Sequence, residues 1–158
     1  MILLSMKGKV QGQDEIIILA SKEEIWSVLI DTPALYEWMP IVKHSDGTKE
    51  CLNAVRSCDV DFEGRKGKVH ERCVLFEENK RIGWGMEYDT LGFSKMFNDY
   101  GFSFDLEEIN PMATKVINKG YSTPKNIFAS LMNLLMMKKK ASQIRKTALQ
   151  GLKKLAEK

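Results

Sequence analysis

The chain is poor in the residues that carry metal and covalent chemistry. Its 158 residues include two histidines, His44 and His70, with no cysteine or acidic cluster beside either at ligand spacing. A tetrahedral metal centre needs such a set, so neither a metal site nor a cofactor is expected. The three cysteines, Cys51, Cys58 and Cys73, form no C-x-x-C pair. An odd count without metal spacing reads as reduced thiols and excludes a disulfide framework. No G-x-S-x-G nucleophile motif occurs. Gly83-Trp84-Gly85 sits inside a strand pattern and opens no helix, which excludes a phosphate loop.

Long apolar runs are missing as well. The N-terminal "MILLSMKGK" carries an apolar run of three residues, whereas a secretory signal needs about 7–15. The expected location is therefore the cytoplasm. The longest greasy stretch, Ile127 to Met137, covers eleven residues, and a membrane span takes about 20. Acids are nearly absent from the C-terminal part. Residues 125–158 hold nine Lys or Arg and one acid, Glu157, while the rest of the chain holds fifteen bases and twenty acids. The default meaning is a solvated basic helix face on an acidic body. The sharper one is attraction to an anionic surface.

What is present is ordinary for one globular domain: 44% hydrophobic and 28% charged residues. A chain of this length buries roughly 70% of its unfolded surface. Glu15–Ala20 reads as a strand. Ser21 and Glu24 then form a capping box for a helix carrying Ile25, Trp26 and Leu29 on one face. Thr32 and Pro33 are placed to cap and begin a second short helix, which Pro40 stops. From Ile41 to Tyr121 the pattern is strands. "EGRKG" and "ENK" mark turns, and Ile82, Trp84, Met86 and Tyr88 alternate with Gly83, Gly85 and Glu87. Tyr100, Phe102, Phe104 and Leu106 alternate in the same way. One apolar and one wet face suits an antiparallel sheet covered on one side. The inward face of residues 68–76 stays open, because Val69, Cys73 and Leu75 compete with Val74 and Phe76.

Thr123 and Pro124 repeat the start device. A helix running from there to Glu157 would be about 50 Å long, too long for a compact domain of this size, so a bend or frayed end is expected. Its second half carries a narrow stripe, Ala141, Ile144, Ala148, Leu152 and Leu155, which Ile127, Leu131 and Leu134 roughly continue. Phe128, Met132, Leu135 and Met136 fall outside the stripe, so the apolar centre of the first half is rotated by roughly a third of a turn. Either a loop or the small helices cover this excess, or it faces a cavity or its mouth. Methionine, with its adaptable thioether, favours the cavity.

The order of elements and several motifs resemble the START-related superfamily, whose helix-grip fold includes birch-pollen-allergen-like proteins. Within it the chain is most similar to the polyketide cyclase/dehydrase and lipid-transport family. The match lies in "IIILASKEEIWSVLIDTPALYEWMPIV", in "GKVHERCVLFEENKRIGW" with Glu71 and Arg72, and in "ALQGLKKLAEK". It covers nearly all of the chain from Glu15, and residues 1–13 stand as an N-terminal extension, of the first strand or beyond it. The resemblance implies an α+β helix-grip fold. A curved seven-stranded antiparallel sheet would wrap on a long C-terminal helix, with two small helices after the first strand and a cavity between sheet and helix. It implies no shared catalytic set.

The expected function is binding and transport or sensing of an apolar small molecule: a lipid, sterol, quinone or polyketide-like compound. The alternatives are a polyketide cyclase or dehydratase and a partner-binding module. The candidate ligand-binding residues are Trp84, Met86, Tyr88, Tyr100, Phe102 and Phe104 on the sheet, with Phe128, Leu131, Met132, Leu135 and Met136 on the helix. Lys138, Lys139 and Lys140 are candidates for transient contact with an anionic membrane. The basic helix lacks interleaved exposed aromatics, so no nucleic acid is expected as partner.

Overall fold

A computed structural model describes residues 6–47 and 52–158; Cys51 and the Ile2–Leu4 run lie outside the described residues. Seven antiparallel strands form one sheet: β1 (Lys9–Ile18), β2 (Val42–Asp46), β3 (Val55–Phe62), β4 (Arg65–Glu77), β5 (Arg81–Asp89), β6 (Phe97–Asn110) and β7 (Ala113–Pro124), in the spatial order β1-β7-β6-β5-β4-β3-β2. Helix α1 (Lys22–Leu29) and a 3-10 turn (Thr32–Glu37) follow β1, and the four-residue α2 (Phe93–Met96) interrupts the path from β5 to β6. The chain closes with α3 (Ile127–Met132), a π turn (Asn133–Met137) and α4 (Lys138–Ala156). This is the helix-grip fold. No described helix is long and apolar enough to cross a membrane.

The local signals hold in part. Ser21 and Glu24 make the capping box of α1, each side chain accepting from the other residue's backbone N–H. The strand expected at Glu15 begins at Lys9, so residues 9–13 belong to the sheet. Glu63 and Gly64 form the β3–β4 turn with positive φ of 52° and 86°, the primed geometry that matches the twist of a hairpin. Thr32 does not cap. Asp31 holds the cap position without a side-chain bond, and Thr32 is buried. Thr123 and Pro124 end β7 rather than start a helix; the cap is Asn126, whose Oδ1 accepts the Ala129 N–H at 2.8 Å.

Bulges settle what alternation could not. Cys73 pairs with Trp84 but Leu75 pairs with Gly83, so Val74 is an extra residue that switches β4 to the opposite face. Val69, Glu71 and Cys73 point inward before it and Phe76 after it, which is why both sets competed in the sequence. The core gathers at one end of the sheet. There Trp38, Trp84 and Phe104 meet edge-on, and Leu149 and Leu152 of α4 close over them. The first turns of α4 cover the other end, where the packing is incomplete.

Candidate functional site

Between the inner face of the sheet and the first half of α4 lies a cavity of about 180 Å³. Apolar walls come from Val60 and Phe62 of β3, Val69 of β4, Met86 of β5, Phe102 of β6, and Met137, Ala141 and Ile144 on the helix. Leu91 and Phe93 close it from the segment between β5 and β6, together with Phe97 at the start of β6. Phe93 stacks on Tyr100 at 5.5 Å and meets Phe62 edge-on at 6.0 Å. Beside Phe62, Glu63 and Lys140 form an ion pair of 2.7 Å that ties the β3–β4 turn to α4.

Two guanidinium groups stand in these walls, each with its own carboxylate. Arg56 Nε donates to Glu71 Oε2 at 2.7 Å, and the Arg56 side chain is 1% exposed. Its Cζ lies 4.1 Å from the centre of the Trp84 ring and 5.8 Å from that of Phe102, so the charge is also met by the faces of two rings. Arg145 Nε donates to Asp14 at 2.8 Å, and Ser142 Oγ donates to the same carboxylate. Gly12 and Gly120 make room for Arg145. A Cβ at Gly12 would lie 2.6 Å from Nη2, and one at Gly120 3.1 Å from Nη1. Two glycines opposite one another on β1 and β7 thus let a guanidinium lie flat on the sheet.

Gln11 enters the cavity because β1 bulges between Val10 and Gly12. It donates to the Ser122 carbonyl and accepts from Asn133 Nδ2, each at 3.0 Å. Tyr100 supplies a phenol. Burial pushes its pKa up; the Arg145 charge opposes that, and the Glu71 and Asp89 carboxylates add to it. The phenol therefore stays protonated at neutral pH and is available as a donor.

Asp89 holds the cavity's covering segment in place. Its carboxylate accepts the backbone N–H groups of Gly92 at 2.6 Å, Phe93 at 3.0 Å and Ser94 at 2.8 Å. Burial alone would raise its pKa, but the hydrogen bonds from Ser94, Phe93 and Gly92 outweigh that and hold it below the usual 3.8. Asp89→Asn should therefore melt below the wild type at neutral pH. A depressed carboxyl contributes stability above its unfolded pKa and loses it as pH falls through the folded value. The two melting temperatures should thus converge when melts are followed from neutral pH into strong acid. A gap that persists in acid would mean that charge at Asp89 is not what holds the segment.

Of the residues marked from sequence, Met86, Tyr100 and Phe102 line the cavity. Trp84 and Phe104 face the same way but are sealed in the core beneath it. Tyr88 lies outside. Met86 pairs with Glu71 and Tyr88 with His70, so Glu87 is a bulge that flips the alternation. Tyr88 ends exposed against the His70 ring, and Asp89 turns inward in its place. The helical residues do not join the lining either. Phe128, Leu131, Leu135 and Met136 are exposed and Met132 is half-buried. Ala129 is buried on the inward side, and Asn133, Met137 and Ala141 reach the cavity. The π turn, with its i→i+5 bonds, winds more residues per turn, and so keeps side chains four apart on one line.

Sequence reasoning missed Arg56, Arg145 and the Leu91–Phe97 cover. One signal was present: Arg56 occupies an inward position of a strand whose alternate residues are Cys58, Val60 and Phe62. A charge on an apolar face marks a buried pair.

A family model described as polyketide cyclase / dehydrase and lipid transport matches residues 9–157. Among solved structures, a START superfamily protein from Mycobacterium smegmatis superposes with a TM-score of 0.74 at 19% identity, covering 92% of this chain and 96% of that one. An aromatase/cyclase from a Streptomyces species gives 0.72 at 13% identity, covering 92% of each chain. A major latex-like protein of Panax ginseng gives 0.67 at 10% identity, covering 94% of this chain and 99% of that one. The search of curated proteins returned no match. With nearly its whole length under one family model and a fold shared with these structures, the chain belongs to the polyketide cyclase / dehydrase and lipid transport family.

Proposed function

We propose that the chain binds an apolar small molecule with an oxygen-bearing end in the cavity between sheet and α4, and carries or senses it. One observation supports this most: the cavity walls are largely apolar, yet Arg56, Glu71, Tyr100 and Arg145 are among the residues that line it. Ligand pockets combine broad apolar contact with a few polar groups that fix orientation. Both guanidiniums already have carboxylate partners, so the walls favour a carbonyl, hydroxyl or ester oxygen over a second full charge. Met86, Phe102 and Ile144 would hold the apolar body. The Tyr100 phenol and the Arg145 Nη groups would orient the oxygen.

The test is saturable binding of an environment-sensitive dye, displaced by a fatty acid or a sterol, with native mass spectrometry for a copurified lipid. Ala141→Phe fills the cavity from the helix and should abolish displaceable binding while leaving the far-UV circular dichroism unchanged. Dye and lipid binding that survive Ala141→Phe would place binding elsewhere and remove the support for this reading.

A second reading, cyclisation or dehydration of a polyketide-like substrate, rests on the protonated Tyr100 phenol in a cavity that also holds Glu71. A donor and a carboxylate in one apolar chamber suit general acid–base chemistry. Tyr100→Phe separates the two readings: an enzyme loses turnover while still binding, whereas a carrier has no turnover to lose.

A further inference from the structure

The outward face of α3 and the π turn carries Ile127, Phe128, Leu131, Leu134, Leu135 and Met136, each between 50 and 88% exposed. Scattered single hydrophobes are normal on a soluble surface, but six large ones on one short helical segment form a patch, and patches of this kind mark interaction sites. Basic side chains frame it. At the N-terminal end, the exposed Lys125 donates to the Ser94 carbonyl at 2.7 Å, beside the exposed Lys95. At the C-terminal end, Lys138 and Lys139 are exposed and make no ion pair among the described residues. No Asp or Glu occurs between Ile109 and Ala156.

We propose that this face docks on an anionic lipid bilayer, with the helix lying in the plane of the interface. The six apolar side chains would enter the boundary between headgroups and acyl chains, and the flanking lysines would meet lipid phosphates. The stretch is too short to span, since a span takes about 20 apolar residues. A helix with one greasy side and basic flanks settles in the interface instead. The charge pattern selects this occupant over a second copy of the chain. Pairing the face with itself about a two-fold axis would bring two sets of lysines together with no acid on either helix to meet them. The inward side of the same turns presents Asn133 and Met137 to the cavity, so docking sets the cavity's helical wall against lipid. The proposal does not depend on what the cavity holds.

The experiment is co-sedimentation of the full chain with phosphatidylcholine vesicles, with and without phosphatidylglycerol, at low and high salt. Binding should need the anionic lipid and weaken as salt rises. The double variants Phe128→Ser/Leu135→Ser and Lys138→Glu/Lys139→Glu should each weaken it by about tenfold or more. Both should keep the wild-type melting temperature, because all four positions are exposed. Ile17→Ser/Leu19→Ser, an exposed apolar pair on and beside β1, should leave vesicle binding unchanged. Equal binding to neutral and anionic vesicles would overturn the proposal, as would variants that bind like wild type. So would a concentration-dependent dimer that Phe128→Ser/Leu135→Ser dissolves in a protein that ignores vesicles.

Discussion

Glu71→Ala should cost about 3–5 kcal/mol of folding stability, the penalty for removing one partner of a buried ion pair. The Arg56 side chain is 1% exposed and takes its Nε contact from Glu71 at 2.7 Å. Alanine would take this carboxylate away from a guanidinium held in a low-dielectric wall against the faces of Trp84 and Phe102. Removing both charges should cost far less, because the pair's mutual attraction roughly offsets the desolvation of its members. Urea denaturation of Glu71→Ala, Arg56→Met and Arg56→Met/Glu71→Leu should therefore show strong non-additivity, with the double variant well above either single one. The comparison is the Arg72–Glu87 pair, whose side chains are 38% and 45% exposed and whose loss should cost about 0–1 kcal/mol. If Glu71→Ala costs no more than Glu87→Ala, water reaches the pair and the cavity wall is not the dry surface the burial implies.

Gly151→Ala should lose about 3 kcal/mol, although alanine favours a helix over glycine by about 1 kcal/mol. Gly151 lies within α4, where the helix crosses the end of the 3-10 turn. A Cβ there would overlap the carbonyl oxygen of Trp38. The obstacle is backbone, which cannot rotate away as a side chain could. Trp38 is itself 1% exposed and packs on Phe104, so relief would have to come from moving α4 off the sheet. That shift would also loosen Leu149 and Leu152. Thermal and urea unfolding measure the effect directly. A variant as stable as wild type, or more so, would show that α4 does not approach the turn so closely.

How much of this was legible depends on the range over which each signal acts. The capping box at Ser21, the turns at Glu63 and Asn79, and the period-two runs through Trp84 and Phe104 are local, and local chemistry decides them. The order of those elements, with the motifs around Trp26, Trp38 and Glu71, was enough to indicate the helix-grip fold. The apolar stripe at Ala148 and Leu152 was legible for the same reason: a regular helix repeats its facing positions.

The cavity was not legible in the same way, because irregularities define it. A single extra residue at Glu87 sends Tyr88 outward and Asp89 inward, and another at Val74 exchanges the faces of β4. Bulges leave little trace in composition, since the register they set depends on the neighbouring strand. The π turn rotates the helix so that Asn133 and Met137, not Phe128 and Leu135, face the cavity. Arg145 comes to rest on Gly12 and Gly120, residues 133 and 25 positions away in sequence. The sequence by itself determined the elements, their order and the helix's excess of greasy surface, because propensity, capping and periodicity act within a few residues. Only the tertiary structure decided which side of that helix meets the cavity and which meets solvent, because that choice follows from register across strands and from one irregular turn.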